Sequence, residues 1–131
     1  MIAEDLDYPH GIGQLGNSVF THFVSFNIPG NWTELSDENS QKTFKGQNLV
    51  VLGRNDEGTF GYSVPCPSEG VHRIRFTVWA LNTYYPTPVD NRASELSYRE
   101  LLPWLEEHEV VRANFFGKVT AEPPVVGVIA K

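Results

Sequence analysis

Two histidines, His22 and His72, lie in segments with the alternating pattern of β-strands. Because every second side chain of a strand points to the same face, each histidine falls on an otherwise apolar face of its segment, residues 19–28 or 72–81. A buried imidazole needs a hydrogen-bond partner, and a single such histidine is more often a satisfied core residue than a ligand. If the two strands are neighbours, the pair would form a polar spot in an apolar wall, which is typical of a small-molecule site.

Two carboxylates near the N-terminus, Asp5 and Asp7 in EDLDYPH, also have a spacing that suits chemistry. In an extended segment they would share one side, where they could bind a cation, orient a histidine or do acid–base work. Acidic residues beside Pro9 are equally typical of an exposed turn, and the spacing alone slightly favours that interpretation.

The remaining reactive side chains fit other site chemistries less well. The four histidines have no close ligand spacing and Cys66 is the only cysteine, so no metal site is predicted. GYSVP, residues 61–65, imitates a nucleophile elbow except that Pro65 replaces the final glycine. Cys66 and His72 could form a nucleophile–base pair. Since nothing in the sequence activates a thiol flanked by two prolines, a packed loop cysteine is the favoured interpretation.

The elements that would position these residues are mostly strands. Further strands are predicted within residues 48–53, 110–119 and 125–129, with turn chemistry at 55–58. Ser97 and Glu100 form a capping box, which predicts a helix from about Ser97 to His108. Pro103 should kink this helix or restart it from a first turn. The pattern predicts one domain over residues 1–131, mainly β, most simply an antiparallel β-sandwich.

Composition narrows the classes of function. A net charge of −6 argues against a nucleic-acid partner, because phosphate backbones select cationic surfaces. No apolar run is long enough to span a bilayer, and the acidic N-terminus does not resemble a signal peptide. A single cysteine excludes an intrachain disulfide and fits a reducing compartment, so a cytoplasmic location is predicted.

Three blocks of the sequence resemble the phosphatidylethanolamine-binding proteins, also called Raf kinase inhibitor proteins. EDLDYP resembles the family's D-P-D-x-P segment. THFVSFNIPGNWTEL resembles its histidine strand and the N-I-P-x-x-x-T-E-L run of prokaryotic-type members. GYSVPCPSEGVHRIRFTVWAL resembles the G-x-x-x-P-x-P…G-x-H-R signature and its strand. A fourth segment, from about Ser97 to Gly117, is similar to the ending of the shorter prokaryotic-type proteins, so the resemblance covers most of the chain.

The resemblance implies an antiparallel β-sandwich with one or two peripheral helices and a small anion pocket at one end. It implies a non-enzymatic binding protein without cofactor or metal, whose ligand is a phosphate-bearing head group of a phospholipid or nucleotide. Some members inhibit protein kinases or serine proteases. The matching motifs also imply which residues bind the ligand. Asp5 and Asp7 match the two pocket aspartates, and Pro65 lies in the proline-rich wall. His22 matches the histidine of the middle strand, and His72 matches the histidine of the H-R pair.

This chain departs from the family pattern in three places. Leu6 replaces the proline between the aspartates, and Ile74 stands where many members have tyrosine. The chain also begins at the aspartate block, whereas family members carry further N-terminal strands. We therefore expect an N-terminally truncated domain whose sheet edge a homodimer or second chain covers. Two alternatives stay open: an interaction or inhibitor protein with a vestigial pocket, and a hydrolase that uses Cys66 or the Asp5/His22 pair.

Overall fold

A computed structural model of the protein describes residues 1–34, 50–86 and 95–121. Within these ranges the strands form one antiparallel sheet in the order β3-β2-β1-β4-β5. The predicted class, a mainly β antiparallel fold with a peripheral helix, is confirmed. The predicted strand at 125–129 lies outside the described residues. The elements are β1 Ile2–Tyr8, β2 Ser18–Phe26, β3 Val51–Leu52, β4 Val71–Leu81, α1 Tyr98–His108 and β5 Glu109–Thr120.

The acidic N-terminal segment forms the central strand. β1 pairs with β2 on one side and β4 on the other, so that Asp5 lies opposite both Phe20 and Ile74. Asp5 and Asp7 are only 3% and 4% exposed, so the exposed turn that their spacing favoured is wrong. The reason is tertiary: each carboxylate meets a basic side chain of β4, which compensates for its removal from water.

β4 and β5 form the longest pairing of the sheet, from Val71 opposite Thr120 to Leu81 opposite Glu109. The ring of Phe76 on β4 stacks on that of Phe115 on β5, with their centroids 4.8 Å apart. β5 is the last strand on its side of the described sheet, and most of its side chains are exposed on both faces. It therefore supports β4 by backbone pairing more than by core packing.

Helix α1 begins with the predicted capping box. The Ser97 hydroxyl accepts a hydrogen bond from the Glu100 backbone N–H at 3.3 Å, and the Glu100 carboxylate accepts one from the Ser97 backbone N–H at 3.3 Å. The helix runs on through Pro103 to His108, so the predicted restart at Pro103 is wrong. Leu101 and Leu105, on either side of the proline, are buried in the core, and this packing offsets the lost backbone hydrogen bond. The core cluster comprises Ile2, Val24, Phe26, Val51, Trp79, Leu101 and Leu105.

Within the ranges that the structure describes, no helix is long and apolar enough to cross a membrane.

Candidate functional site

Three adjacent strands bring together Asp5, His22 and His72. The two histidine strands are not neighbours, so the condition for a direct histidine pair is not met: β1 lies between β2 and β4. Asp5, on β1, approaches His72 with its Oδ2 atom 2.6 Å from Nδ1, and its charge also opposes the lowering of the His22 pKa by burial. The carboxylate of Asp5 is thus shared between the two histidines, as a hydrogen-bond partner of one and an electrostatic neighbour of the other.

Both ring nitrogens of His72 have partners inside the protein. The ring is 1% exposed, with Nδ1 beside the Asp5 carboxylate and Nε2 2.9 Å from the backbone carbonyl oxygen of Glu69. Since a carbonyl oxygen only accepts, Nε2 carries a hydrogen and donates it to Glu69, while Nδ1 lies against the Asp5 carboxylate. His72 therefore fixes two other parts of the chain and keeps no free donor for a ligand.

His22 has one occupied and one unoccupied ring nitrogen. Nδ1 lies 2.7 Å from the backbone carbonyl oxygen of Ser63 and must donate to it. Nε2 is buried and has no hydrogen-bond partner within the described residues. Burial lowers the pKa of His22 below its usual 6.5, opposed by the Ser63 carbonyl and by Asp5. The ring is therefore neutral near pH 7, and Nε2 presents a lone pair.

The loop of residues 61–70 is tied to both histidines. Near its start, the Ser63 N–H donates to the His22 carbonyl at 2.9 Å, while the Ser63 carbonyl accepts from the ring. Near its end, the Glu69 carbonyl accepts from His72. Pro65 lies half-buried between these two anchors, on the stretch for which the family resemblance predicts a pocket wall.

Cys66 does not pack into this loop, and the packed-cysteine interpretation is wrong. Its side chain is a free thiol and exposed, whereas Pro65 and Pro67 on either side are half-buried. The loop is held through its backbone at Ser63 and Glu69, so the thiol between the prolines is not needed for its packing.

A close approach of two glycines fixes the end of the same loop. Gly70 has a positive φ of 77°, and a Cβ at this position would lie 2.6 Å from the backbone oxygen of His10 and 2.9 Å from the Cα of Gly11. Only glycine fits such a contact without displacing backbone. The contact sets the chain against residues 10–11 directly before β4 begins at Val71, one residue ahead of His72.

Asp7 is paired with an arginine rather than with a histidine. Arg73 donates to its carboxylate from the backbone N–H, from Nε and from a terminal guanidinium nitrogen, at 2.8–3.0 Å. These side-chain bonds lower the pKa of Asp7, although burial opposes the shift. The Asp7 backbone N–H donates to Asp5 Oδ1 at 2.8 Å, which stiffens the segment where Leu6 replaces the family's proline.

Comparison with known protein families identifies the chain. The sequence profile of the family described as phosphatidylethanolamine-binding protein matches residues 1–120. The chain belongs to the phosphatidylethanolamine-binding protein family.

Relatives in archaea are similar over most of this family member. A UPF0098 protein of Archaeoglobus fulgidus is 35% identical over 118 residues, which are 89% of this chain and 36% of that protein. A UPF0098 protein of Methanothermobacter thermautotrophicus is 36% identical over 117 residues, which are 89% of this chain and 69% of that protein. This family member thus spans little more than a third of the first relative and about two thirds of the second.

Solved structures of the family share the fold. Escherichia coli YbcL, described as a new member of the mammalian PEBP family, matches with a TM-score of 0.70 and 28% identity, over 92% of this chain and 70% of that one. The Chlamydia trachomatis homologue CT736 matches with a TM-score of 0.72 and 23% identity, over the same shares of the two chains, and this likeness concerns the fold alone.

Two aromatic residues beside His22 were not predicted for the site of this family member. The ring of Phe20 lies 4.7 Å from that of His22, and the ring of Tyr8 lies 4.6 Å from that of Phe20, measured between centroids. Phe20 could have been found, because it precedes His22 by two residues on one strand face. Tyr8 had no such signal, because its position depends on the pairing of β1 with β2.

The hydrogen bonds of His72 and Asp5 weigh against the two hydrolase alternatives in this family member. Both nitrogens of His72 have partners, so this histidine is not free to act as a general base for Cys66. Asp5 is hydrogen-bonded to His72 and to the Asp7 backbone, not to His22. Across residues 1–34, 50–86 and 95–121, no three His, Cys, Asp or Glu side chains are grouped to hold a metal ion.

Proposed function

We propose that this family member is a non-enzymatic binding protein for phosphate-bearing head groups of the phosphatidylethanolamine type. The observation that carries the proposal is the Nε2 atom of His22, which is buried and has no hydrogen-bond partner among the described residues. A buried polar atom without a partner has a free-energy cost, and a ligand oxygen that shares a proton with it removes that cost.

The charges around His22 favour a zwitterionic ligand over a simple anion. Asp5, Asp56 and Glu57 all act on the His22 ring electrostatically, and all three are acidic. A phosphate group alone would meet only like charges from these side chains, whereas a head group with an ammonium next to its phosphate complements them. We therefore expect ethanolamine phosphate to bind more tightly than inorganic phosphate.

Calorimetric titration with O-phosphoethanolamine, and with inorganic phosphate as the simpler probe, tests the proposal. Replacing His22 by Asn keeps a donor to the Ser63 carbonyl and removes Nε2. We expect affinity to fall about 10-fold to 100-fold, the loss of one charge-assisted hydrogen bond. His108→Asn is the matched control, since this half-buried histidine contacts Asn82 and lies in α1, away from the site. Binding that His22→Asn leaves unchanged would contradict the proposal.

A second candidate function is inhibition of a protein kinase or serine protease through a surface outside the pocket. The observation that favours it is β5, the last strand of the described sheet, which exposes the apolar side chains of Val110, Val111, Phe115 and Phe116. Inhibition that survives His22→Asn but is lost in Phe116→Glu would support this candidate. Inhibition that depends on His22 would instead assign the activity to the pocket.

A further inference from the structure

The hydrogen-bond pattern of His22 fixes which nitrogen can receive a ligand. The Ser63 carbonyl can only accept, so the hydrogen of a neutral ring lies on Nδ1 and the unpartnered Nε2 is itself an acceptor. A fully ionised phosphate offers only acceptor oxygens. An acceptor facing an acceptor makes no hydrogen bond, so the two can meet only if one extra proton lies between them.

We infer that this site binds a phosphate monoester together with one proton, held between His22 Nε2 and a phosphate oxygen. The inference rests on the proposed function and specifies the ionic form of its ligand. The proton can belong to an imidazolium beside a dianion or to a neutral imidazole beside a monoanion. Both descriptions contain the same number of protons, so the count does not depend on which group holds it.

The surroundings of His22 are suited to such a proton. Asp5 faces the ring from β1, Asp56 and Glu57 from the turn after β3, and the Ser63 carbonyl from the loop of residues 61–70. Desolvation is the largest influence on the pKa of His22 and lowers it, and all four of these groups act in the opposite direction, toward a positive ring. The negative charge of a bound phosphate acts in the same direction as the carboxylates, so it raises the pKa of His22 as it binds. By linkage, protonation must strengthen phosphate binding to the same extent.

Proton uptake on binding can be measured directly. Methyl phosphate is a suitable probe because it has no amine, and near pH 7.5 it is mostly dianionic, with a second pKa of about 6. Calorimetric titrations in buffers of different ionisation enthalpy should give an uptake close to one proton per bound ligand, in the unmodified protein and in His108→Asn alike. Apparent affinity for methyl phosphate should fall about tenfold for each unit of pH above this value.

The outcomes separate this inference from the proposed function. Methyl phosphate binding that depends on His22 but takes up no proton would overturn the inference and leave the proposed function intact. An undiminished uptake in His22→Asn would also overturn it, because another group would then hold the proton. Absence of methyl phosphate and O-phosphoethanolamine binding at any pH would contradict both.

A second measurement needs no variant. In protein labelled with ¹⁵N at histidine, long-range ¹H–¹⁵N spectra distinguish the two neutral tautomers. We expect the Nδ1–H tautomer at His22 in the free protein and a hydrogen on Nε2 once methyl phosphate is added. An Nε2–H tautomer in the free protein would overturn the inference.

Discussion

The two ends of the sheet differ in their chemistry: one carries a buried polar cluster and the other an open, mainly apolar groove. At one end, Asp5, His22 and His72 are buried and form hydrogen bonds to one another or to the backbone. Among the described residues, Nε2 of His22 is the one ring nitrogen of these two histidines without a partner. At the other end, where β1 begins and β2 and β4 end, the structure has an open groove of about 590 Å³. Its lining is mainly apolar and aromatic and includes Phe26, Trp79, Leu101 and Leu105. Open volume and chemically specific atoms are thus found in different places.

The contrast shows why cavity volume alone is a poor guide to function here. The groove offers space, and Phe26 in its lining is held by aromatic contacts: its ring lies 5.2 Å from that of Tyr85, which in turn lies 5.0 Å from that of Trp104, between centroids. The histidine end places titratable groups at hydrogen-bond distance from one another and from the backbone. Recognition of a small polar ligand depends more on such placed groups than on volume.

The largest expected effect is the removal of the carboxylate at the histidine end. Asp5→Ala leaves the His72 ring and the Asp7 backbone N–H without their acceptor, and breaking a buried pair in this way costs about 3–5 kcal/mol. Urea unfolding measures the loss. Asp5→Asn is the matched control and should cost less, because its side-chain oxygen can still accept from Asp7. Equal losses in the two variants would show that the charge of Asp5 dominates its contribution.

At the groove end, the corresponding loss should come from packing alone. Leu101 is 1% exposed and lies against the sheet, so Leu101→Ala should cost about 2–5 kcal/mol of the free energy of unfolding. Leu102→Ala, at the half-buried neighbouring position, should cost clearly less. Neither variant should change the affinity for O-phosphoethanolamine. A change in that affinity would mean that the two ends are coupled and that their separation in function is wrong.

The smallest effect is expected at the pair of Asp7 and Arg73. Arg73 holds the pKa of Asp7 below its usual value, so Arg73→Met should raise it. A carboxylate with a depressed folded-state pKa contributes stability at neutral pH that is lost as the pH falls through that pKa. The variant should therefore lose less stability on acidification than the unmodified protein does. Carbon NMR titration of the Asp7 carboxyl measures the shift.

Arg75→Met is the control for this experiment. Arg75 pairs with Glu4 at 2.9 Å and does not contact Asp7, so its removal should leave the pKa of Asp7 unchanged. If both variants shifted Asp7 equally, the effect would reflect general positive charge on β4 and not the bonds from Arg73.

Much of the fold was predictable because strand alternation and helix caps depend on residues that are close together in the sequence. The alternation in 19–28 and 72–81 predicted β2 and β4 to within a few residues, and Ser97 with Glu100 predicted the start of α1. β1 was harder, because carboxylates are poor strand residues on their own and their partners lie on β4, more than sixty residues away. The same distance explains why Asp5 and Asp7 were expected in an exposed turn.

The candidate site was predictable by residue type but not by role. Sequence motifs selected Asp5, Asp7, His22, Pro65 and His72, and the structure places Asp5 between the two histidines, with Pro65 on the loop tied to both. From the sequence, His22 and His72 were predicted to be equivalent hydrogen-bond donors to a ligand. Only the backbone carbonyls of Ser63 and Glu69 distinguish them, because they occupy one nitrogen of His22 and the second nitrogen of His72.

By itself, then, the sequence determined the strands, the helix cap, the family and the residues that could carry chemistry, since these depend on neighbours within a few positions. The tertiary structure alone decided that Asp5 pairs with His72, that Asp7 pairs with Arg73, and that one nitrogen of His22 has no partner in the described part of the chain. The physical reason is that hydrogen bonds are short and directional. Whether a titratable group is satisfied depends on atoms that the chain brings within about 3 Å only after it has folded.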